Sequence, residues 1–81
     1  MTITVHFYSY FKDLTGCAKA TETLPLGSSL EELLSRLRMR FPKLAPLQKS
    51  TLAAVGVDYQ DRAYALKEGD EVSLFPPVQG G

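Results

Sequence analysis

The stretch Ser28-Ser29-Leu30-Glu31-Glu32-Leu33-Leu34-Ser35-Arg36-Leu37-Arg38-Met39-Arg40-Phe41-Pro42 decides the fold. Leu30, Leu33, Leu34, Leu37 and Phe41 recur at i, i+3, i+4, i+7 and i+11, which places them on one face of an α-helix. Ser28, with Glu31 three residues on, predicts a capping box that satisfies orphan N–H groups at the helix start. Glu32 and Arg36 stand i, i+4 apart on the wet side, a pairing worth about 0.2–0.5 kcal/mol. Glu31 and Glu32 near the start and Arg40 near the end complement the helix dipole. Pro42 stops the helix. A leucine stripe this continuous must be buried, and the flanking sequence offers a sheet to bury it against.

Upstream, Thr2 to Tyr8 alternates Ile3, Val5 and Phe7 with Thr2, Thr4 and His6, the period of a half-buried strand. Phe11 and Leu14 fit one helical turn that Gly16 ends. Ala18 to Leu24 reads as a second strand, closed by Pro25 and Gly27. The two strands are close in sequence, which favours an antiparallel pair. Downstream, Lys43 to Lys49, with Pro46, reads as a connection. Leu52 to Val57 is a short apolar run expected as a buried strand, and Asp58 to Arg62 a polar turn. Ala63 to Leu66 fits a brief strand or turn. Lys67-Glu68-Gly69-Asp70 is a tight turn whose glycine suits positive φ. Glu71 to Phe75 is the last strand, with Val72 and Leu74 on one face, and Pro76-Pro77 ends it. The order strand, strand, helix, strand, short strand, strand is that of an α+β domain of the β-grasp, or ubiquitin-like, type. Its mixed sheet of about five strands packs on one main helix. Residues 1–76 are expected as the domain and residues 77–81 as a flexible tail.

Composition narrows the function. The 81 residues carry one cysteine and one histidine, which excludes an internal disulfide and a thiolate zinc site within the chain. No apolar run approaches the ~20 residues of a membrane span. The N-terminus lacks the basic and apolar regions of a secretory signal, so the expected compartment is the cytoplasm. Net charge is zero but segregated: residues 30–49 balance at +3 and residues 58–71 at −3. Neither region has the domain-wide basic excess of a nucleic-acid binder. Neither a nucleic-acid nor a membrane partner is expected.

The side chains give little chemistry. Cys17 needs a base and a positive surrounding to become a nucleophile; Lys12 and Lys19 are near it in sequence but no histidine is, so it reads as an incidental or half-buried small residue. His6 sits on the polar side of the first strand and reads as a surface residue. Glu68, Asp70 and Glu71 cluster at a turn, where they read as solvated acids able to steer a basic partner. Arg36, Arg38 and Arg40 fall on different flanks of the helix and read as a solvated surface more than a phosphate clamp. No phosphate-binding glycine loop is present.

The end of the chain is different. No side chain from Val72 to Gly81 is charged, and the last residues are Val78, Gln79, Gly80 and Gly81. A chain end that enters a narrow site on another protein is best without Cβ or charge there, and glycine adopts whatever φ,ψ the channel demands. A carboxylate is inert at neutral pH, whereas an acyl-adenylate is open to a sulfur nucleophile. Displacing AMP would leave a thiocarboxylate at Gly81. Phe75 follows Leu74, so one of the two faces away from the core. Beside Pro76 and Pro77 it offers an apolar anchor for a partner.

These residues resemble a known family. Gly69-Asp70-Glu71-Val72-Ser73-Leu74-Phe75-Pro76-Pro77-Val78-Gln79-Gly80-Gly81 is similar to the C-terminal signature of the small subunit of molybdopterin synthase, a ubiquitin-like sulfur carrier. Val5 to Tyr8, Phe11 to Gly16, Ser29 to Leu33 and Leu52 to Val55 carry the resemblance through most of the chain. Lys12 stands where many members have arginine, and Gly56 where many have asparagine. The resemblance implies that an E1-like adenylyltransferase consumes ATP to activate Gly81 and that a sulfur donor protein converts it to the thiocarboxylate. The tail Val78–Gly81 would then enter the large subunit and give sulfur to cyclic pyranopterin monophosphate, forming the dithiolene. Two small and two large subunits would assemble, with the catalytic side chains on the large one. No cofactor or metal is expected on this chain. Sulfur delivery to thiamine, transfer RNA or cysteine, conjugation to lysine as a protein modifier, and a plain interaction module are the alternatives.

Overall fold

The computed structural model describes residues 1–47 and 49–76. The expected tail, 77–81, lies outside them, and so does Gln48. Strand β1 (Thr2–Phe7) is followed by the short helix α1 (Phe11–Thr15), strand β2 (Lys19–Thr23) and the main helix α2 (Leu30–Arg40). A 3₁₀ helix (Pro42–Leu47) leads to strands β3 (Leu52–Val55), β4 (Asp58–Tyr59) and β5 (Glu71–Phe75). The five strands form one sheet in the order β2-β1-β5-β3-β4. The pair β1–β5 is parallel and every other pair is antiparallel.

Alternation in β1 and β5 sends Ile3, Val5, Phe7, Val72 and Leu74 to the helix side, where each is at most 2% exposed. Leu30, Leu33, Leu34 and Leu37 of α2 close over them in one buried cluster with Phe11, Leu44 and Leu66. Phe41 meets Phe7 edge-on at 5.6 Å. Fully burying such a side chain stabilises the fold by about 1.5–3 kcal/mol. The α1 turn ends at Gly16, whose φ of 77° is the left-handed cap a side chain would resist.

Four local expectations are corrected. The helix cap is Ser29, not Ser28: the Ser29 side chain accepts from the Glu32 N–H at 3.2 Å, and Glu32 accepts from the Ser29 N–H at 3.1 Å. Ser28 is buried, donating its hydroxyl to the Pro25 carbonyl and accepting from the Leu66 N–H. That capping role turns Glu32 toward Ser29 instead of Arg36. The connection after Pro42 is a 3₁₀ helix that accommodates Pro46. The run expected to extend to Val57 stops at Val55. Gly56, at φ 63°, and Val57 turn the chain so that Asp58 and Tyr59, expected as a turn, pair back as β4.

Candidate functional site

The parallel β1–β5 pair sets where the C-terminal segment leaves the sheet. Phe7 lies opposite Leu74, and the Tyr8 N–H donates to the Leu74 carbonyl at 3.2 Å. Phe75 is the next residue and therefore falls on the face away from α2. There it is half-buried, stacked on Tyr8 with ring centroids 4.7 Å apart and planes 13° apart. Tyr59 approaches Phe75 at 6.1 Å and 62°. Leu52 is opposite Phe75 in the β3–β5 register and is exposed. Ala54, on the same face beside Tyr59 and Ser73, is 7% exposed although the helix-side cluster does not include it. The result is an apolar patch of Tyr8, Leu52, Tyr59 and Phe75 at the C-terminal end of β5. Pro76 continues from it, half-buried.

Phe75 thus faces outward. Pro77, Val78, Gln79, Gly80 and Gly81 belong to the expected site but lie outside the described residues. Tyr8 and Tyr59 escaped the sequence reading. Tyr59 sits in what reads as a polar turn, and only the β3–β4 pairing carries it onto this face.

The other candidates go elsewhere. His6 Nε2 lies 2.7 Å from Glu71 Oε1 on the open face of the sheet. Glu68 accepts from the Thr2 N–H at 2.8 Å and Asp70 from the Lys67 N–H at 2.9 Å, so the three acids serve separate local bonds. Cys17 is half-buried against the core, its Sγ 3.7 Å from the Thr15 hydroxyl. Arg38 approaches Glu31 at 3.7 Å while Arg40 pairs with Glu22 at 2.8 Å, so the helix arginines do not converge on one ligand. Among the described residues no group of three or more His, Cys, Asp or Glu could hold a metal ion, and no helix is long and apolar enough to cross a membrane.

A sheet whose first and last strands run parallel at its centre, covered on one side by one main helix, defines a β-grasp protein of the ubiquitin-like class. The ThiS family matches residues 5–81, and the chain belongs to that family. The molybdopterin synthase sulfur carrier subunit of Chlamydomonas reinhardtii is 33% identical over 84 residues, covering the whole of both chains. SAMP1 from Haloferax volcanii has the same fold, with a TM-score of 0.89 at 18% identity over the full length of both chains. A chain from the complex of subunits 1 and 2 of the molybdopterin-converting factor of Helicobacter pylori is 26% identical, again over both full lengths, with a TM-score of 0.72.

Proposed function

We propose that this chain is the sulfur carrier subunit of molybdopterin synthase. The observation that carries the reading is a likeness to a sulfur carrier subunit over the whole chain, within a family match that runs through Gly80-Gly81. In this reading the Gly81 carboxylate attacks the α-phosphate of ATP on an E1-like adenylyltransferase, releasing pyrophosphate. A sulfur donor protein supplies sulfur whose attack on the acyl carbon expels AMP, giving the thiocarboxylate directly from sulfide, or from a persulfide once a thiol reductant cleaves the S–S bond. The terminal sulfur of the thiocarboxylate then attacks a carbon of cyclic pyranopterin monophosphate and displaces the oxygen substituent there. Water hydrolyses the resulting thioester, so that the C–S bond stays on the pterin and the carrier returns as a carboxylate. Each carrier brings one sulfur, so a dithiolene needs two loaded carriers.

The division of labour is the one the family resemblance implies. This chain contributes its C-terminus, and the large subunit contributes the catalytic side chains. ATP is consumed by the activating enzyme and is not a resident cofactor here. The aromatic patch around Phe75 suits the large-subunit contact, because aromatic anchors dominate interface energies and exclude water around the entering segment. A complex of subunits 1 and 2 among the similar structures supports a two-subunit assembly.

The test is reconstitution with the activating enzyme, ATP, a sulfur donor, the large subunit and the pterin precursor. Intact mass should show one oxygen replaced by sulfur at the C-terminus, and molybdopterin should form. Deleting Gly81 should abolish both while leaving large-subunit binding nearly unchanged. Molybdopterin made at the full rate by the deleted chain would overturn the proposal.

A further inference from the structure

Strand β2 is an edge of the sheet, five residues long. An edge strand carries unpaired N–H and C=O groups that invite another strand. The register shows which groups those are. The Leu24 N–H donates to the Met1 carbonyl and the Phe7 N–H to the Ala18 carbonyl, both at 2.9 Å. Antiparallel pairs alternate, so the pairs Ile3–Glu22 and Val5–Ala20 also point at each other. Lys19, Thr21 and Thr23 are left pointing their backbone groups away from β1.

The middle one of these is already taken. Arg40 Nη1, from the last residue of α2, donates to the Thr21 carbonyl at 2.9 Å and to Glu22 Oε2 at 2.8 Å. Its guanidinium also lies over the Phe41 ring, 5.1 Å from the centroid. Glu22 points to the helix side of β2 and its side chain is 12% exposed, so the guanidinium is held between a carboxylate, a backbone carbonyl and an aromatic face. The opposite edge, β4, has only two residues and needs no such clasp.

We infer that Arg40 holds the β2 edge shut against antiparallel pairing with a second copy of this chain. The occupant is set by the strand itself. A two-fold axis at Thr21 places Thr21 opposite Thr21, Lys19 opposite Thr23 and Ala20 opposite Glu22. No like charges stand directly opposite each other, and all outward backbone groups of Lys19, Thr21 and Thr23 find partners. The incoming Thr21 N–H requires the position that Arg40 Nη1 occupies, so clasp and dimer exclude one another.

The experiment is analytical ultracentrifugation over a concentration series, with backbone amide exchange. Wild type is expected to stay at the mass of one chain. Arg40→Ala should self-associate about tenfold or more tightly than wild type. Arg40→Met keeps an apolar stem over Phe41 but has no donor, and it should behave alike; it decides the matter if Arg40→Ala fails to fold. In the dimer the amides of Lys19, Thr21 and Thr23 should become protected and those of Asp58 and Tyr59 should not. Adding Thr21→Pro to either variant should restore the monomer, since proline lacks the outward N–H. Variants that remain monomeric, a dimer that survives Thr21→Pro, or protection arising on β4 would each overturn the inference.

Discussion

On the helix side of the sheet, Phe7, Val72 and Leu74 are at most 2% exposed. One pleat along the same strands, Tyr8 is 43% exposed and Phe75 is half-buried, with Tyr59 at 66% beside them. Both faces are rich in large apolar groups, yet only one has a helix to cover it. The covered face supplies the stability of the domain. The open face concentrates its aromatics where β5 hands over to the C-terminal segment, and it keeps its polar residues, Thr4, His6 and Glu71, farther from that point. Adjacent residues therefore divide between the faces, Phe7 and Leu74 toward the helix, Tyr8 and Phe75 toward the open side.

That division can be broken most forcefully at Phe7. Phe7→Ala should cost about 3–5 kcal/mol, a large part of the ~5–15 kcal/mol that holds a small domain together. Urea unfolding would read it as a lower midpoint with little change in slope, and a shift below about 1 kcal/mol would refute the assignment of this face. Phe75→Ala should show the reverse balance. Binding to the large subunit should weaken by about 2 kcal/mol or more, roughly thirtyfold in Kd. Its unfolding free energy should fall by about 1–2 kcal/mol, less than at Phe7, for the lost contacts with Tyr8 and Tyr59 and a ring only half-buried. Equal losses of stability at Phe7 and Phe75 would erase the distinction between the faces. The smallest effect belongs to the helix that makes the difference. Ser29→Ala removes the observed cap and should cost about 1 kcal/mol in the same urea assay, with large-subunit affinity unchanged in the folded protein.

Much of this arrangement is readable in the sequence. The leucine stripe of α2 and the alternation in β1 and β5 are strong periodic signals, and each matches the side chains found buried. The cap is misplaced by one residue because Ser28-Ser29 and Glu31-Glu32 offer the same spacing twice. Only the bonds that hold Ser28 inside, a local one to the Pro25 carbonyl and a tertiary one from the Leu66 N–H, break the tie. Strand β4 is invisible because two residues have no period, and Asp58 is a poor strand former held there by pairing with Val55. Of the aromatic patch, Phe75 is legible from its place after Leu74. Tyr59 is not, since its proximity depends on a hairpin that local sequence does not announce.

The parallel pairing of β1 with β5 also shapes how the chain is made. Thr4 faces Glu71 and Phe7 faces Leu74, so residues synthesised early meet partners synthesised far later. During translation Ile3, Val5 and Phe7 can find β2, but their other flank stays bare until residues 71–75 leave the ribosome. Such distant pairing slows folding relative to a helical bundle of equal size. A ribosome that stalls before Glu71 therefore holds out a half-sheet with an open central edge, a natural substrate for chaperones and proteases.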